Sequence, residues 1–191
     1  ILTTENINIE DNIGTIGYNK KEFYGREHDF IALNTYDNFL SRWEVRKAIS
    51  YAIDKSSIVT SVYGGKYYTA DNPLDYGNWT FEQGSSSTGY NPDQAKQVLI
   101  DGGWSYKYGS WQKVENYKTI RLSINLTVNA DNSSQVAVAD IIKTSLENIG
   151  IKVNVSKLNS ASFQTALNNK NYGMIITGTN SSLSPSLVTY F

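Results

Sequence analysis

The stretch IRLSINLTVNADNSSQVAVADIIKTSLENIGIKVNVSKLNSASFQTALNNKNYGMIITG, residues 120–178, decides the fold because its apolar residues change period four times. Alternation at 120–126 and 151–155 predicts two strands, and helical spacing after each of them predicts two helices. The apolar run GMIIT at 173–177 predicts a third strand. The order β-α-β-α-β indicates an α/β fold with parallel strands joined by right-handed crossovers.

This pattern predicts a particular arrangement of strands. We expect the strands at 120–127, 151–156 and 173–178 to lie parallel in the order 2-1-3. The short apolar run FIALNT predicts a further strand at 30–34, beside the third one. The helix at 133–149 should pack across the sheet.

Short neutral side chains follow the first and third strands of this unit. In open α/β sheets, ligands bind beyond the carboxyl ends of the strands, which meet at one edge. We therefore expect a ligand to be bound there by hydrogen bonds. Simpler roles stay open, because Asn132 or Ser133 is also suited to cap the next helix and the loop at 178–184 consists of turn-forming residues. The candidate ligand-binding residues are Asn129, Asn132, Gly178, Thr179, Asn180, Ser181 and Ser182.

Composition excludes several classes of function. The 17 Lys and Arg residues are balanced by 18 Asp and Glu residues, so no basic face for nucleic acid is expected. The chain has no Cys, which excludes a disulfide, a thiolate metal site and a cysteine nucleophile. His28 is the only histidine, so no histidine pair is available for a metal. We expect neither a metal nor a cofactor.

The first two thirds of the chain contain clear helix signals. Ser41 and Glu44 have the spacing of a capping box, in which each side chain bonds the other residue's backbone amide. Asp54 is placed to cap a second helix, and Asn91, followed by proline, to cap a third. Residues 105–118 are predicted to form a hairpin with Tyr-Gly at its turn.

These segments together resemble a known family. The motifs are ALNT, EVRKAISYAIDKSSIV, YNPDQAKQVLIDGGW, LENIGIKVNV and ASFQTALNNKNYGMIITG, in that order. Over residues 29–191 they resemble the C-terminal lobe of the family 5 extracellular solute-binding proteins, the oligopeptide- and dipeptide-binding receptors of bacterial ABC importers. Trp43 and Trp104 lie within these motifs and are expected to be structural.

The resemblance implies a lobe of the type II periplasmic-binding-protein kind, with three layers and a mixed, mainly parallel sheet. Residues 29–191 would form this single lobe, and residues 1–28 a connector or peripheral segment. The ligand, an oligopeptide in the first instance, would be trapped against a first lobe of the same chain and delivered to an ABC permease without chemistry. The family also implies an extracellular lipoprotein of a Gram-positive bacterium, or a periplasmic protein, with the anchor or signal outside this chain.

The chain departs from the family at one important place. Peptide-binding members commonly carry a Trp after the third strand and an acid soon after it, which pairs with the ligand's α-amino group. Here the corresponding residues are Thr179 and Ser182. The ligand is then a peptide held by main-chain hydrogen bonds and the other lobe, or an uncharged molecule such as an oligosaccharide. A hydrolase domain is the rival interpretation, but no G-x-S-x-G, Walker or H-E-x-x-H motif is present, and we expect no catalytic residue.

Overall fold

The structure is a computed structural model, and it describes residues 27–70 and 89–180 of the chain. After a first strand come three helices and then four strands in succession, and strands and helices alternate from residue 123 to the end of the described chain. In chain order the elements are β1 (Glu27–Leu33), α1 (Trp43–Ala52), α2 (Lys55–Tyr63), α3 (Pro92–Asp101), β2 (Ser105–Lys107), β3 (Ser110–Glu115), β4 (Lys118–Arg121), β5 (Ser123–Asn129), α4 (Ser133–Asn148), β6 (Lys152–Leu158), α5 (Ser160–Asn168) and β7 (Met174–Asn180).

The main sheet has the order β1-β7-β5-β6. Strand β5 pairs in parallel with both β6 and β7, and β1 closes the sheet antiparallel to β7. The predicted order 2-1-3, with the early strand beside the third, is therefore confirmed. Strand β1 begins at Glu27, two residues before the predicted start of the lobe.

Helices cover both faces of this sheet, which gives the predicted three layers. Leu126 and Val128 on β5 are completely buried in the same core as Ile142 and Leu146 of α4, and α1 and α2 pack beyond α4. Thr127 points to the opposite face, where it lines a shallow depression with residues of α5. The crossover from β5 to β6 and the crossover from β6 back to β7 run in opposite directions across the sheet, so they must lie on opposite faces if both are right-handed.

The strand predicted at 120–127 is wrong at its beginning. Residues 118–121 belong to β4, which pairs with β3 in a separate three-stranded sheet, and β5 starts only at Ser123. Between them, the buried Leu122 donates its amide to the carbonyl oxygen of Trp111 at 2.9 Å. The apolar alternation continues through this junction because both strands contribute to one core, so the pattern does not reveal the change of partner.

The predicted hairpin is confirmed and is larger than expected. Tyr108 and Gly109 at its turn have φ values of 51° and 76°, the two positive values that a type I′ turn requires. A second pair of positive φ values, at Asn116 and Tyr117, leads from β3 into β4. Four residues in the left-handed region thus shape a three-stranded meander.

The capping box predicted at the start of α1 is wrong. The helix begins at Trp43 with Arg42 as its N-cap, and no side chain caps it. Ser41 instead donates its hydroxyl to the carbonyl oxygen of Asn38 at 3.3 Å. The other caps are confirmed, since Asp54, Asn91 and Asn132 each accept from the backbone amide three residues later.

Glu44 is absent from the cap because it is directed into the interior. Its carboxylate accepts from the indole nitrogen of Trp104 at 3.4 Å and lies 3.7 Å from the ammonium of Lys113. Gly102 leaves room for this side chain, because a Cβ there would overlap Glu44. Trp104 is structural as expected, at 2% exposure, but Trp43 is 64% exposed, so the expectation for Trp43 is wrong.

Candidate ligand-binding edge of the sheet

The carboxyl ends of β5, β6 and β7 meet at one edge of the main sheet. Strand β1 runs the other way, so its first residues reach the same edge, with Glu27 opposite Asn180 and Asp29 opposite Gly178. Helices α4 and α5 both begin there. We call this region the carboxyl edge. Within the described residues it comprises positions 27–29, 129–132, 158–160 and 178–180.

The loop predicted at 178–184 is a strand at its first three positions, and positions 181–184 lie outside the described residues. Gly178, Thr179 and Asn180 belong to β7, where backbone pairing with β1 extends the strand to its last described residue. The expectation of an irregular loop at these three positions is wrong, because a neighbouring strand from far upstream supplies the hydrogen-bond partners. Ser181 and Ser182 lie outside the described residues.

Asn129 is engaged in a polar network at the end of β5. Its side-chain oxygen accepts from the amide of Asp131 at 3.1 Å and lies 3.3 Å from the hydroxyl oxygen of Ser160. The carboxylate of Asp131 in turn accepts from the hydroxyl and the amide of Ser160, at 2.6 and 2.8 Å. Both bonds lower the pKa of Asp131, and the bond from the hydroxyl of Ser160 has the larger effect. The network joins the loop after β5 to the start of α5.

Asn132 is exposed, and its side-chain oxygen caps α4 by accepting from the amide of Gln135 at 3.0 Å. Its part in ligand binding stays a prediction, as does that of Asn129. Asp131 and Ser160 were not among the predicted ligand-binding residues, and the bond between them was not predicted. The Asn159-Ser160 pair at the start of a helix is a capping signal, but the sequence does not say which upstream carboxylate it meets.

Asp29 is another charged side chain at this edge that the sequence-based prediction did not include. It is exposed, on the strand beside Gly178. One carboxylate oxygen accepts from the hydroxyl of Tyr63 at 3.1 Å, and the other from the side-chain nitrogen of Gln135 at 3.5 Å. A Cβ at position 178 would lie only 2.6 Å from this second oxygen, so glycine there gives Asp29 its place over the neighbouring strand.

Tyr63, at the end of α2, forms an aromatic wall beside Asp29. Its ring lies 4.6 Å from that of Tyr67, centroid to centroid. Burial, and then the charge and hydrogen bond of Asp29, raise the pKa of Tyr63 well above its ordinary value, with a smaller contribution from Glu27. Tyr63 therefore stays protonated as a donor at physiological pH, in a negative and aromatic environment.

In residues 27–70 and 89–180, no three His, Asp or Glu side chains come together in a way that could hold a metal ion. Nor is any helix of those ranges long and apolar enough to cross a membrane.

Comparison with known proteins agrees with this architecture. The fold is that of a type II periplasmic-binding protein: the oligopeptide-binding protein AppA from Bacillus subtilis, solved in complex with a nonapeptide, matches 85% of this chain and 32% of its own at a TM-score of 0.77 and 24% identity. Residues 2–191 match the family described as bacterial extracellular solute-binding proteins, family 5 Middle, and the chain belongs to that family.

Relatives within this fold are associated with different ligands. Heme-binding protein A of Haemophilus influenzae is 29% identical over 127 residues, which are 65% of this chain and 21% of that protein. A periplasmic oligopeptide-binding protein from Thermotoga maritima, solved with mannohexaose bound, matches 87% of this chain and 32% of its own at a TM-score of 0.73 and 19% identity. The chain thus spans about a fifth to a third of the length of these proteins.

Proposed function

We propose that the chain is part of the substrate-capturing C-terminal lobe of an ABC-importer receptor, which binds oligopeptides and delivers them to a membrane permease without chemistry. The match to the solute-binding family over residues 2–191 carries this proposal. The rest of the receptor, including a first lobe and an export signal or lipid anchor, would belong to the same parent chain. The receptor would act outside the cell membrane, as a lipoprotein of a Gram-positive bacterium or in the periplasm.

The carboxyl edge is the surface that we propose to face the ligand. Asn129 and Asn132 flank the start of α4, and Gly178, Thr179 and Asn180 lead the chain towards Ser181 and Ser182. Short neutral side chains and a glycine let the backbone of an extended ligand approach closely and exchange hydrogen bonds. Closure of the opposite lobe would then exclude water from these bonds, which strengthens them.

An uncharged ligand such as an oligosaccharide is the second candidate. The absence of charge from positions 178–182 favours it, as does the mannohexaose bound to the Thermotoga relative. The two candidates are separated by incubating the parent receptor with a pool of pentapeptides and with a pool of oligosaccharides, followed by mass spectrometry of the retained molecules. Retention of peptides supports the proposal, and retention of sugars alone refutes its peptide part.

The hydrolase alternative is tested with the same protein and chromogenic ester, glycoside and peptide substrates. Steady turnover that scales with protein concentration would refute transport without chemistry.

Our first prediction concerns the end of β7. In the parent receptor, Asn180→Ala combined with Ser182→Ala should weaken binding of a retained ligand by about 1–3 kcal/mol through lost hydrogen bonds, with stability changed by less than about 0.5 kcal/mol. The matched control is Ile175→Ala on the same strand. Ile175 is completely buried, so this change should cost about 2–5 kcal/mol of stability. Melting curves and titrations on the three proteins measure both quantities, and unchanged affinity in the double variant would exclude these two residues from the site.

A further inference from the structure

Basic and aromatic side chains lie at the edge of the main sheet opposite the carboxyl edge. Strands β5, β6 and β7 begin there, and β1, which runs the other way, ends there. We call this region the amino edge, and it comprises positions 34–43, 115–123, 150–152 and 170–173. Composition counts charges without placing them, so the balanced totals of the chain do not reveal this edge.

Three exposed cations stand at the beginnings of adjacent strands. Lys152 is the first residue of β6, Arg121 lies two residues before β5, and Lys170 lies four residues before β7. The strands follow one another in the order β7-β5-β6, and neighbouring strands of a sheet are about 5 Å apart. The three side chains therefore form a row along the amino edge. Lys118, exposed at the start of β4, adds a fourth cation beyond them.

The acids of this region do not neutralise these cations. Among the described residues, none of the four forms an ion pair. Glu115 lies 2.6 Å from Arg42, and Lys113 lies 3.6 Å from Glu115 and 3.7 Å from Glu44. Asp37 accepts from two backbone amides of its own loop. The amino edge is thus left with an excess of positive charge.

Exposed aromatic rings accompany the cations. Tyr117, in the turn between β3 and β4, is 104% exposed, Tyr36 is 90% exposed and Trp43 is 64% exposed. Asn34 joins Tyr36 to the row, because its side chain accepts from the amide of Tyr36 at 3.0 Å and donates to the carbonyl oxygen of Lys170 at 3.2 Å. Tyr and Trp are the side chains that favour the headgroup layer of a membrane, where one end of the ring is apolar and the other is wet.

The acids of the carboxyl edge lie too far away to offset this charge. Strand β5 has seven residues, and a strand rises about 3.3 Å per residue, so the two edges are about 20 Å apart. The Debye length at physiological ionic strength is about 8 Å, and exposed charges further apart than this are largely screened from each other. An approaching surface would therefore meet the amino edge as a basic patch.

We propose that the amino edge is a docking surface for a membrane of anionic phospholipid. Lys and Arg side chains are attracted to anionic headgroups, and the neighbouring Tyr and Trp rings would enter the headgroup layer. Rings that are exposed by 90% or more pack against no neighbour, whereas a protein–protein interface has a packed apolar centre. Docking in this orientation turns the carboxyl edge away from the bilayer and keeps it open to ligand. This inference goes beyond the proposed function and does not depend on what the ligand is.

The experiment measures binding of residues 1–191, produced without a lipid anchor, to large vesicles by cosedimentation. One set of vesicles is phosphatidylcholine alone, and the other is equal parts of phosphatidylcholine and phosphatidylglycerol. We expect binding to the anionic vesicles only, and we expect it to fall as salt is added, because salt screens the attraction. Equal binding to both sets, or binding to neither, would overturn the proposal. This comparison needs no variant to fold.

The row of cations is tested by changing it as a unit. Arg121→Gln, Lys152→Gln and Lys170→Gln, combined in one protein, should lower the partition coefficient on anionic vesicles by about a hundredfold. Each Lys or Arg near an anionic surface contributes about fivefold. The three side chains are exposed, so the melting temperature should stay close to that of the wild-type protein.

The matched control removes three cations that already have acidic partners. Lys96, Lys143 and Lys157 lie outside the amino edge, at 3.9, 3.3 and 3.3 Å from carboxylates. Their combined replacement by glutamine lowers the net charge by the same amount as the first triple variant and should weaken vesicle binding by no more than a few-fold. Equal weakening in the two proteins would mean that net charge alone controls binding, which would overturn the role of the amino edge.

A third variant separates a bilayer from an acidic protein partner. Tyr36→Ser combined with Tyr117→Ser should weaken binding to anionic vesicles and leave its salt dependence unchanged, since the rings add contact area without charge. Polyglutamate is the soluble comparison, because it offers negative charge without a headgroup layer. Unchanged vesicle binding in the double variant, or binding of polyglutamate as tight as that of vesicles, would overturn membrane docking in favour of an acidic partner.

Discussion

At the scale of single residues, the carboxyl edge combines structural bonds with exposed polar atoms. Asn129, Asp131 and Ser160 bond one another across two loops, and Asn132 caps α4. The same groups remain at the surface of the protein, where a ligand can reach them. Their hydrogen bonds therefore hold the loops of the carboxyl edge in place, whether or not each residue contacts the ligand.

Asp131 should make stability depend on acid pH. Its pKa is lowered in the folded state by Ser160, so its stabilising contribution is present above its unfolded value of about 3.9 and is lost as the pH falls through the folded value. In Ser160→Ala the hydroxyl bond is absent, and the pKa of Asp131 should move back towards about 3.9. Carboxyl NMR titration of residues 1–191 measures this pKa, with Ser162→Ala on the same helix as the control. An unchanged pKa in Ser160→Ala would contradict the assignment.

At the scale of elements, the small sheet β2-β3-β4 is attached to the main core through one aromatic side chain. Trp111 on β3 is 3% exposed and donates its indole N–H to the carbonyl oxygen of Ile149 at 2.8 Å, just after α4. Its backbone carbonyl receives the amide of Leu122 at the junction of the two sheets. Arg42 adds a charged link to Glu115 at 2.6 Å. The meander is thus a fixed part of the lobe.

Two tryptophans test this attachment. Trp111→Ala should cost about 3–5 kcal/mol of unfolding free energy, because it removes a buried ring and leaves the Ile149 carbonyl without its donor. Trp43→Ala is the matched control at 64% exposure and should change stability by less than about 0.5 kcal/mol. Urea unfolding of residues 1–191 measures both values. If both variants lost the same free energy of unfolding, Trp43 would have to be more buried, or Trp111 more exposed, than the structure shows.

At the scale of the whole molecule, the carboxyl edge is one open surface. Its polar residues face outwards from a single sheet, and closure against a second lobe is part of the proposed receptor. A lobe on its own makes only part of the ligand's contacts and leaves the remainder in water. A single lobe therefore lacks the part of the binding free energy that comes from closure of two lobes around the ligand.

Residues 1–191 alone should bind peptides weakly. We expect affinity to fall by several kcal/mol relative to the parent receptor, which is about a hundredfold or more. Calorimetry on the two proteins with one retained peptide measures the difference. Submicromolar binding by residues 1–191 would contradict the proposal that the edge is half of a cleft.

The sequence by itself determined the α/β class, the order of three strands and most helix starts. These follow from local information, because apolar period and capping residues act within a few positions of one another. The order 2-1-3 followed from the handedness of crossovers, a rule that needs only the succession of elements. Asn129 and Asn132 were correctly placed at the carboxyl edge because strand ends are visible in the same pattern, while their contact with a ligand stays a prediction.

Only the tertiary structure decided which distant residues meet. The pairing of β1 with β7 turned a predicted loop into a strand and placed Asp29 over Gly178. Burial of Glu44 against Trp104 overrode a capping box of correct spacing, and the junction at Leu122 divided one apolar alternation between two sheets. In each case the deciding contact joins residues 11 or more positions apart, which is further than the few positions over which capping and apolar period act.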